Sequence, residues 1–341
     1  MEKVAQESVL ENIKTNLRQA NQNEYVRRIK EFAEDVDGPV TLGKFLTYYD
    51  IEPADLYKKG TWSRLCAKAG IREHFETSDE EILSKGLRRI CHQNSAPQLQ
   101  RINELLSHNL SNSELIERFN NEDKVLLTML CFSVWNGKPP EASLAQNLHR
   151  LVSNDVLFAE LRELISYIYD STNTVVKEAN LPFPCPLYIH ARYTRDEILS
   201  GLGYWSIGDT PSMREGVKYL KDINADIFFI TLNKTEKDYS PTTMYEDYAI
   251  DDTLFHWQSQ STIGSSSPTG KRYITHKQEG TRILLFVREH KKENGLAAPY
   301  YFLGPADYIS HKGNRPMSII WKLHNPMPAK LVRDTVRMGV A

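Results

Sequence analysis

The chain has 341 residues, enough for two domains, and its 25% charged and 40% hydrophobic residues are ordinary for a soluble globular protein. No apolar run reaches the roughly 18 residues that span a bilayer, and the charged start, MEKVAQESVLENIK, lacks a signal-peptide pattern. The four cysteines are far apart, without a C-x-x-C pair. That spacing excludes a zinc ribbon and indicates reduced thiols in a cytoplasmic protein.

The net charge of −2 hides an asymmetry along the chain. Residues 1–185 carry 22 basic and 27 acidic side chains, whereas residues 261–341 carry 13 and 5, a net of +8. A local basic surface on a nearly neutral protein favours contact with a polyanion. A lysine-rich tail without a partner would give the same count.

Residues 1–182 are predicted to form an all-helical domain. Apolar residues at Val9, Leu10, Ile13 and Leu17 share one face of a helix within 5–35. Helix starts are marked at Thr41, at Pro53, at Ser78 with Glu81, and at Ser111 with Glu114. Further helices are predicted over 62–69, 121–135, 141–152 and 155–169. The short helices of 41–75 suit either a helix-turn-helix DNA reader or a small packing module, and their mixed charge favours the packing module.

The run LPFPCP (181–186) contains three prolines, ends the helical pattern and sets the predicted domain boundary between 182 and 183. Thr194 with Glu197 caps one more short helix. Strands are predicted over 216–220, 226–232, 245–250, 254–260, 282–288, 300–308 and 318–323, with a mobile loop at 262–270 and a final helix at 329–337. The fold class is therefore α+β, with residues 183–341 forming a curved sheet or a small barrel.

The stretch SPTTMYEDYAIDDTLFHWQSQ (240–260) carries the most chemistry. Side chains alternate between the two faces of a strand, so an aromatic face lies behind an amide and imidazole face. Aromatic rings stack on nucleobases, and carboxylates or amides bond base edges, which together suit a base pocket. Candidate pocket residues are Tyr245, Asp247, Tyr248, Trp257, Gln258 and Gln260, with Tyr204 and Trp205 as a second aromatic wall. Tyr245 and Asp247 share a face, while Tyr248 lies on the other; a half-buried strand with solvated amides is the alternative.

The basic region supplies candidate contacts to the DNA backbone. These are Lys271, Arg272, His276, Lys277, Arg288, Lys291 and Lys292. Phosphate-binding loops and hydrolase motifs are absent from the sequence. Glu289-x-Lys291 after the apolar strand resembles a metal-dependent nuclease pattern, which would also need Asp251, Asp252 or Asp307 as a ligand. A charged strand end explains those residues equally simply, and no cofactor or metal is predicted.

At these residues the chain resembles a known family. The phrases DIFFITLNKTEKDYSPTTMYEDYAIDDTLFHWQSQSTIGSSSPTGKRYI, RILLFVREHK and YYFLGPADYI are similar to the C-terminal domain of modification-dependent (type IV) restriction enzymes of the SauUSI kind. Those enzymes join a phospholipase-D-type nuclease to a superfamily II helicase. The resemblance covers roughly 80–341 and is dense from 194 onward.

The resemblance implies an SRA-like (PUA-like) domain that flips 5-methylcytosine or 5-hydroxymethylcytosine out of double-stranded DNA. It also implies that the helices couple recognition to the helicase and nuclease domains of the same polypeptide. The motifs of the nuclease and of the helicase do not occur in this sequence. The chain is therefore expected to be a non-enzymatic C-terminal part of a longer protein, without a membrane partner. The alternative is an assembly module that couples helicase to nuclease and touches DNA non-specifically.

Overall fold

The computed structural model describes residues 22–213, 215–232 and 247–336. The chain divides into two compact units that share the sequence unevenly. The first comprises Met1–Cys91, Leu99–Phe119 and Leu130–Ser171, and the second comprises His92–Gln98, Asn120–Met129 and Thr172–Ala341. Helices make up the N-terminal part and a mixed sheet the C-terminal part, which confirms the α+β class.

The helices before the sheet are short and mostly start at recognisable caps. They are α1 (Gln22–Asp35), α2 (Leu42–Tyr49), α3 (Pro53–Leu56), α4 (Trp62–Ala69), α5 (Glu80–Ile90), α6 (Ala96–Leu106), α7 (Ser113–Arg118), α8 (Asn121–Val134), α9 (Leu144–Ser153) and α10 (Asp155–Ser171). Thr41 caps α2 by accepting the Lys44 N–H at 3.3 Å, as its position predicts. Pro53 opens α3, also as predicted.

Two predicted caps are displaced by one residue, and one helix was not predicted. The N-caps of α5 and α7 are Asp79 and Asn112, not Ser78 and Ser111. The Asn112 side chain accepts the Leu115 N–H, so an amide replaces the serine hydroxyl. The helix that was not predicted is α6, which begins after Ser95 with Pro97 in its first turn, a common start signal.

In the first unit, two carboxylates on α10 cap the starts of two other helices. The Glu160 carboxylate is fully buried and accepts the N–H groups of Trp62 at 2.7 Å and Ser63 at 2.8 Å, at the start of α4. One turn further along α10, the Glu163 carboxylate accepts the Leu42 N–H at the start of α2. The first N–H groups of a helix lack intrahelical partners, so these two acids satisfy donors that would otherwise be buried unpaired.

Burial raises the pKa of Glu160, and the hydrogen bonds from Ser63 and Trp62 only partly oppose it. A carboxyl whose pKa is raised on folding stabilises the fold below its unfolded pKa, and that contribution is lost as pH rises through the folded pKa. We expect the free energy of unfolding of the native protein, minus that of Glu160→Gln, to be larger at pH 5 than at pH 8. Urea titrations at both pH values measure this difference. Glu34→Gln, an exposed carboxyl on α1, controls for the loss of one negative charge, and a difference independent of pH would contradict the assignment.

The second unit is built on an eight-stranded sheet and two small hairpins. The elements are β1 (Lys177–Glu178), β2 (Tyr188–Ile189), β3 (Arg192–Tyr193), α11 (Arg195–Gly201), β4 (Val217–Leu220), β5 (Ala225–Thr231), β6 (Tyr248–Ala249), β7 (Leu254–Gln258), α12 (Pro268–Thr275), β8 (Arg282–Arg288), β9 (Lys292–Glu293), β10 (Leu296–Ala297), β11 (Tyr300–Lys312), β12 (Ser318–Leu323) and α13 (Ala329–Val336). The strand order is β4-β5-β8-β11-β12-β7-β6, with β3 also pairing with β11. Strands β5 and β8 are parallel, and their register joins Thr231 to Arg288.

The sheet curls until strands that are far apart in its order meet across its concave face. Three strands separate β5 from β7, yet the rings of Phe228 and Trp257 lie 4.7 Å apart in an edge-to-face contact. Tyr273 from α12 and Trp321 from β12 complete this aromatic core. Among the described residues no pairing joins β4 to β6, so the prediction of a curved sheet is confirmed and its barrel alternative is not.

Most strand positions agree with their predicted ranges, and 282–288 and 318–323 agree to the residue. The burial of β7 alternates, with Phe255 and Trp257 inside, as its period of two predicts. The predicted mobile loop 262–270 is partly wrong, because α12 begins at Pro268 with Ser267 accepting the Gly270 N–H as its cap. Within the part of the chain described, no helix is long and apolar enough to cross a membrane.

Candidate functional site

A cavity of about 900 Å³ opens in the second unit, where the carboxyl ends of several strands come together. Thr231 and Arg288, the last residues of the parallel strands β5 and β8, line it, and so does Gln258, the last residue of β7. Ligands of open sheets that contain parallel strands commonly bind beyond the carboxyl ends of those strands. The curl of the sheet is what places β7 beside β5 at this point.

The structure brings seven of the predicted site residues to this one cavity. They are Asp247, Trp257, Gln258, Gln260, Arg288, Lys291 and Lys292. They come from two parts of the sequence, 247–260 and 288–292, which the curled sheet places on one cavity. The side chains predicted to contact a base and those predicted to contact phosphates come from separate sequence patterns. Their proximity in the cavity therefore results from the tertiary fold.

Asp247 and Gln258 are linked directly. The Asp247 carboxylate accepts the Gln258 backbone N–H at 3.0 Å, just beyond the short β6–β7 pairing. Asp247 is 9% exposed, so the carboxylate lies low in the cavity wall. Trp257 is only 6% exposed, because its ring packs on Phe228 and Tyr273. It gives the cavity an apolar wall rather than an open stacking platform.

On the side of the cavity away from β6 and β7, two arginines lie over two aromatic rings. The Arg288 guanidinium is 4.4 Å from the Tyr300 ring centre, and its Nε donates to the Thr231 hydroxyl at 3.0 Å. The Arg195 guanidinium is 4.6 Å from the Phe229 ring centre, and Phe229 and Tyr300 meet edge to face at 5.3 Å. The two rings join the two cations into one wall, in which each guanidinium lies over an aromatic ring.

Among the cavity residues that the sequence did not predict, three are charged and one is a tyrosine: Arg195, Asp196, Glu215 and Tyr300. Arg195 and Asp196 stand in the first turn of α11, where the Thr194–Glu197 capping box was read only as a helix start. Glu215 lies two residues before the start of β4. No local pattern marks these residues as site residues, because tertiary pairing alone brings them to the cavity.

Three predicted pocket residues lie elsewhere, and one lies outside the described residues. Tyr248 stacks on His256 at 4.6 Å across the β6–β7 pairing and does not line the cavity. Tyr204 is covered by the Lys218 ammonium at 4.8 Å, and the Trp205 indole N–H donates to the Pro211 carbonyl at 3.0 Å. These two half-buried rings hold a turn and form no second wall. Tyr245 falls in 233–246, outside the described residues.

Arg272, His276 and Lys277, which were predicted to contact the DNA backbone, have roles within the fold. The Arg272 guanidinium makes two hydrogen bonds, of 2.7 and 2.8 Å, to the fully buried Asp226 carboxylate. His276 is buried, its Nδ1 lies 3.2 Å from the Thr281 carbonyl, and its Nε2 accepts the Tyr308 N–H at 3.0 Å. That pattern requires the neutral ring, and burial correspondingly lowers the pKa of His276. Lys277 pairs with Asp307 at 2.8 Å, whereas Lys271 is exposed.

Arg272→Leu is expected to destabilise the protein by about 3–5 kcal/mol, because it leaves the buried Asp226 carboxylate without its cation. The neighbouring exposed substitution Lys271→Gln should stay within about 0.5 kcal/mol of the native protein. Denaturant titrations of both variants measure the contrast. The double variant Asp226→Leu with Arg272→Leu should recover much of the loss. Equal stability of Arg272→Leu and Lys271→Gln would show that the pair is not structural.

The described residues do not form the set of metal ligands that the alternative of a metal-dependent nuclease requires. The Asp251 carboxylate already accepts the Thr253 and Leu254 N–H groups at 2.7 Å each, and Asp307 is held by Lys277 and by His324. Glu289 is not among the cavity residues. Within the described ranges, no group of three or more His, Cys, Asp or Glu side chains is arranged to hold a metal ion.

Residues 187–335 match a family model described as a domain of unknown function, DUF3427. The match covers less than half of the chain and contains β3, the curled sheet and every described residue of the cavity. No curated protein matches the chain. The cavity therefore belongs to the part of the chain that resembles this family.

Proposed function

We propose that the second unit is a DNA-reading module that receives a flipped, modified cytosine in the cavity. The observation that carries the proposal is the convergence of Asp247, Gln258 and Gln260 with the cations Arg288, Lys291 and Lys292 on one concave site. A nucleotide whose base is flipped out of the duplex needs hydrogen-bonding groups at the base edge, an apolar wall beside the ring and cations near the flanking phosphates. All three kinds of group line this cavity.

The carboxylate is the group that suits a cytosine edge. Cytosine presents an exocyclic amine, and a carboxylate accepts from such an amine. Asp247 is held in place by the Gln258 N–H, so the acceptor is oriented before a base arrives. Gln258 and Gln260 offer both donors and acceptors for the ring carbonyl and nitrogen.

In this proposal the first unit, which is helical, couples recognition of the modified base to helicase and nuclease domains of a longer polypeptide of the SauUSI kind. The assembly-module alternative remains open to a direct test. It gains support if DNA binding is insensitive to changes at the cavity cations.

We expect the protein to bind a duplex with one modified cytosine more tightly than the same duplex with cytosine. Flipping costs a few kcal/mol, so contacts in the cavity must offset it before any preference is seen. Fluorescence anisotropy titrations of both duplexes give the ratio. Asp247→Asn should remove most of the preference, since the amide can present a donor where an acceptor is needed, while Asp222→Asn in the β4–β5 turn should retain it. Equal affinity of the native protein for both duplexes would contradict the proposed function.

Lys292→Gln is expected to weaken binding to modified and unmodified duplexes alike and to lower the salt slope of log K by about one. Lys292 is exposed at the cavity rim, so its loss costs little stability. Lys221→Gln is the matched control, because Lys221 lies in the turn before β5, about 20 Å along that strand from Thr231. An equal change in slope for both variants would contradict the assigned phosphate contact.

A further inference from the structure

The cavity is larger than a methylated base requires. A 5-methylcytosine base has nine non-hydrogen atoms, which would fill no more than about 270 Å³ even if each took the roughly 30 Å³ of a water molecule in the liquid. The cavity measures about 900 Å³. A base filling under a third of the space leaves most of the lining side chains without a ligand contact. A methyl group also gives at most about 200-fold discrimination, and only where an apolar pocket fits it closely.

The lining residues form two chemically different groups. On the β6–β7 side stand Asp247, Trp257, Gln258 and Gln260, the groups that suit a base. On the β5–β8 side stand Arg195, Arg288, Asp196 and Glu215 around the rings of Phe229 and Tyr300. Two strands, β11 and β12, separate β8 from β7 in the sheet, so the two groups come from different parts of the fold.

The second group suits a polyhydroxylated substituent. Each hydroxyl is both a donor and an acceptor, and carboxylates beside guanidinium groups offer the complementary acceptors and donors. The Phe229 and Tyr300 rings are buried beneath these guanidinium groups and hold them in place, so the donors are positioned before a sugar arrives. A cytosine with a hexose on a 5-hydroxymethyl group fills no more than about 630 Å³ by the same upper bound, so it fits the cavity and leaves room for part of the nucleotide backbone.

We propose that the base read by this cavity is a cytosine whose 5-substituent carries a hexose, with the base at Asp247 and Gln258 and the sugar at Arg195, Asp196 and Glu215. This inference rests on the proposed function, because it specifies the ligand of the same cavity. It adds a role for residues that no base contact explains.

Four duplexes of one sequence test it, with cytosine, 5-methylcytosine, 5-hydroxymethylcytosine or β-glucosyl-5-hydroxymethylcytosine at one position. Anisotropy titrations of the whole chain should give the tightest binding for the glucosylated duplex, at least roughly tenfold tighter than for the methylated one. If methylated or hydroxymethylated DNA is preferred over cytosine and the glucosylated duplex binds no tighter, the hexose inference is overturned and the proposed function stands. If all four bind equally, both are overturned.

A variant locates the sugar within the cavity. Glu215→Gln should lower affinity for the glucosylated duplex roughly tenfold, the loss of one charge-assisted hydrogen bond, and leave affinity for the hydroxymethylated duplex within about twofold. Glu215 is exposed, and circular dichroism of the variant verifies its fold. Asp222→Asn, in the turn at the other end of β4, is the control and should change neither affinity. Equal losses for both duplexes would place Glu215 outside the sugar contact.

Discussion

The edge-to-face contact between Phe228 and Trp257 is the constraint on which the second unit depends. Their 4.7 Å separation requires the sheet to curl through three intervening strands. The curl turns the inner faces of β5, β8, β12 and β7 toward one another around Tyr273 and Trp321. It also places the carboxyl ends of β5, β8 and β7 around one opening, so the packing of the core and the position of the cavity have the same cause.

Charge in this unit is divided between folding and surface roles in a way that the net count conceals. The region 261–341 carries a net charge of +8, yet Arg272 is neutralised by Asp226 and Lys277 by Asp307. The cations on the cavity are differently placed. Arg288 lies over a ring at the end of β8 and Lys292 is exposed on β9. Position relative to the strand ends, rather than the number of basic residues, separates cations that could meet a phosphate from those that hold the fold.

Short sequence patterns predicted the structure correctly where contacts between residues close in sequence determine it. The period of two fixed the faces of β7, and the Thr194–Glu197 box fixed the start of α11 with both of its reciprocal bonds formed. The caps predicted at Ser78 and Ser111 are one residue too early: Asn112 accepts the Leu115 N–H in place of Ser111, whereas Asp79 precedes α5 with its carboxylate bonded to Arg150 and makes no side-chain cap. The clustering of Asp247 with Arg288, and the presence of Arg195 and Glu215, depend on strand order, which no short window of sequence contains.

The short segment His92–Gln98 is tied into the second unit by a buried carboxylate. It belongs to the second unit, where the Glu197 carboxylate meets His92 at 2.9 Å and Gln93 at 3.2 Å. Glu197 is 1% exposed and also closes the capping box of α11, whose first turn carries Arg195 and Asp196 to the cavity. Glu197 therefore joins the 92–98 segment to the start of α11 within the second unit. Buried polar contacts of this kind are costly to leave unmade, so they hold the segment against this helix.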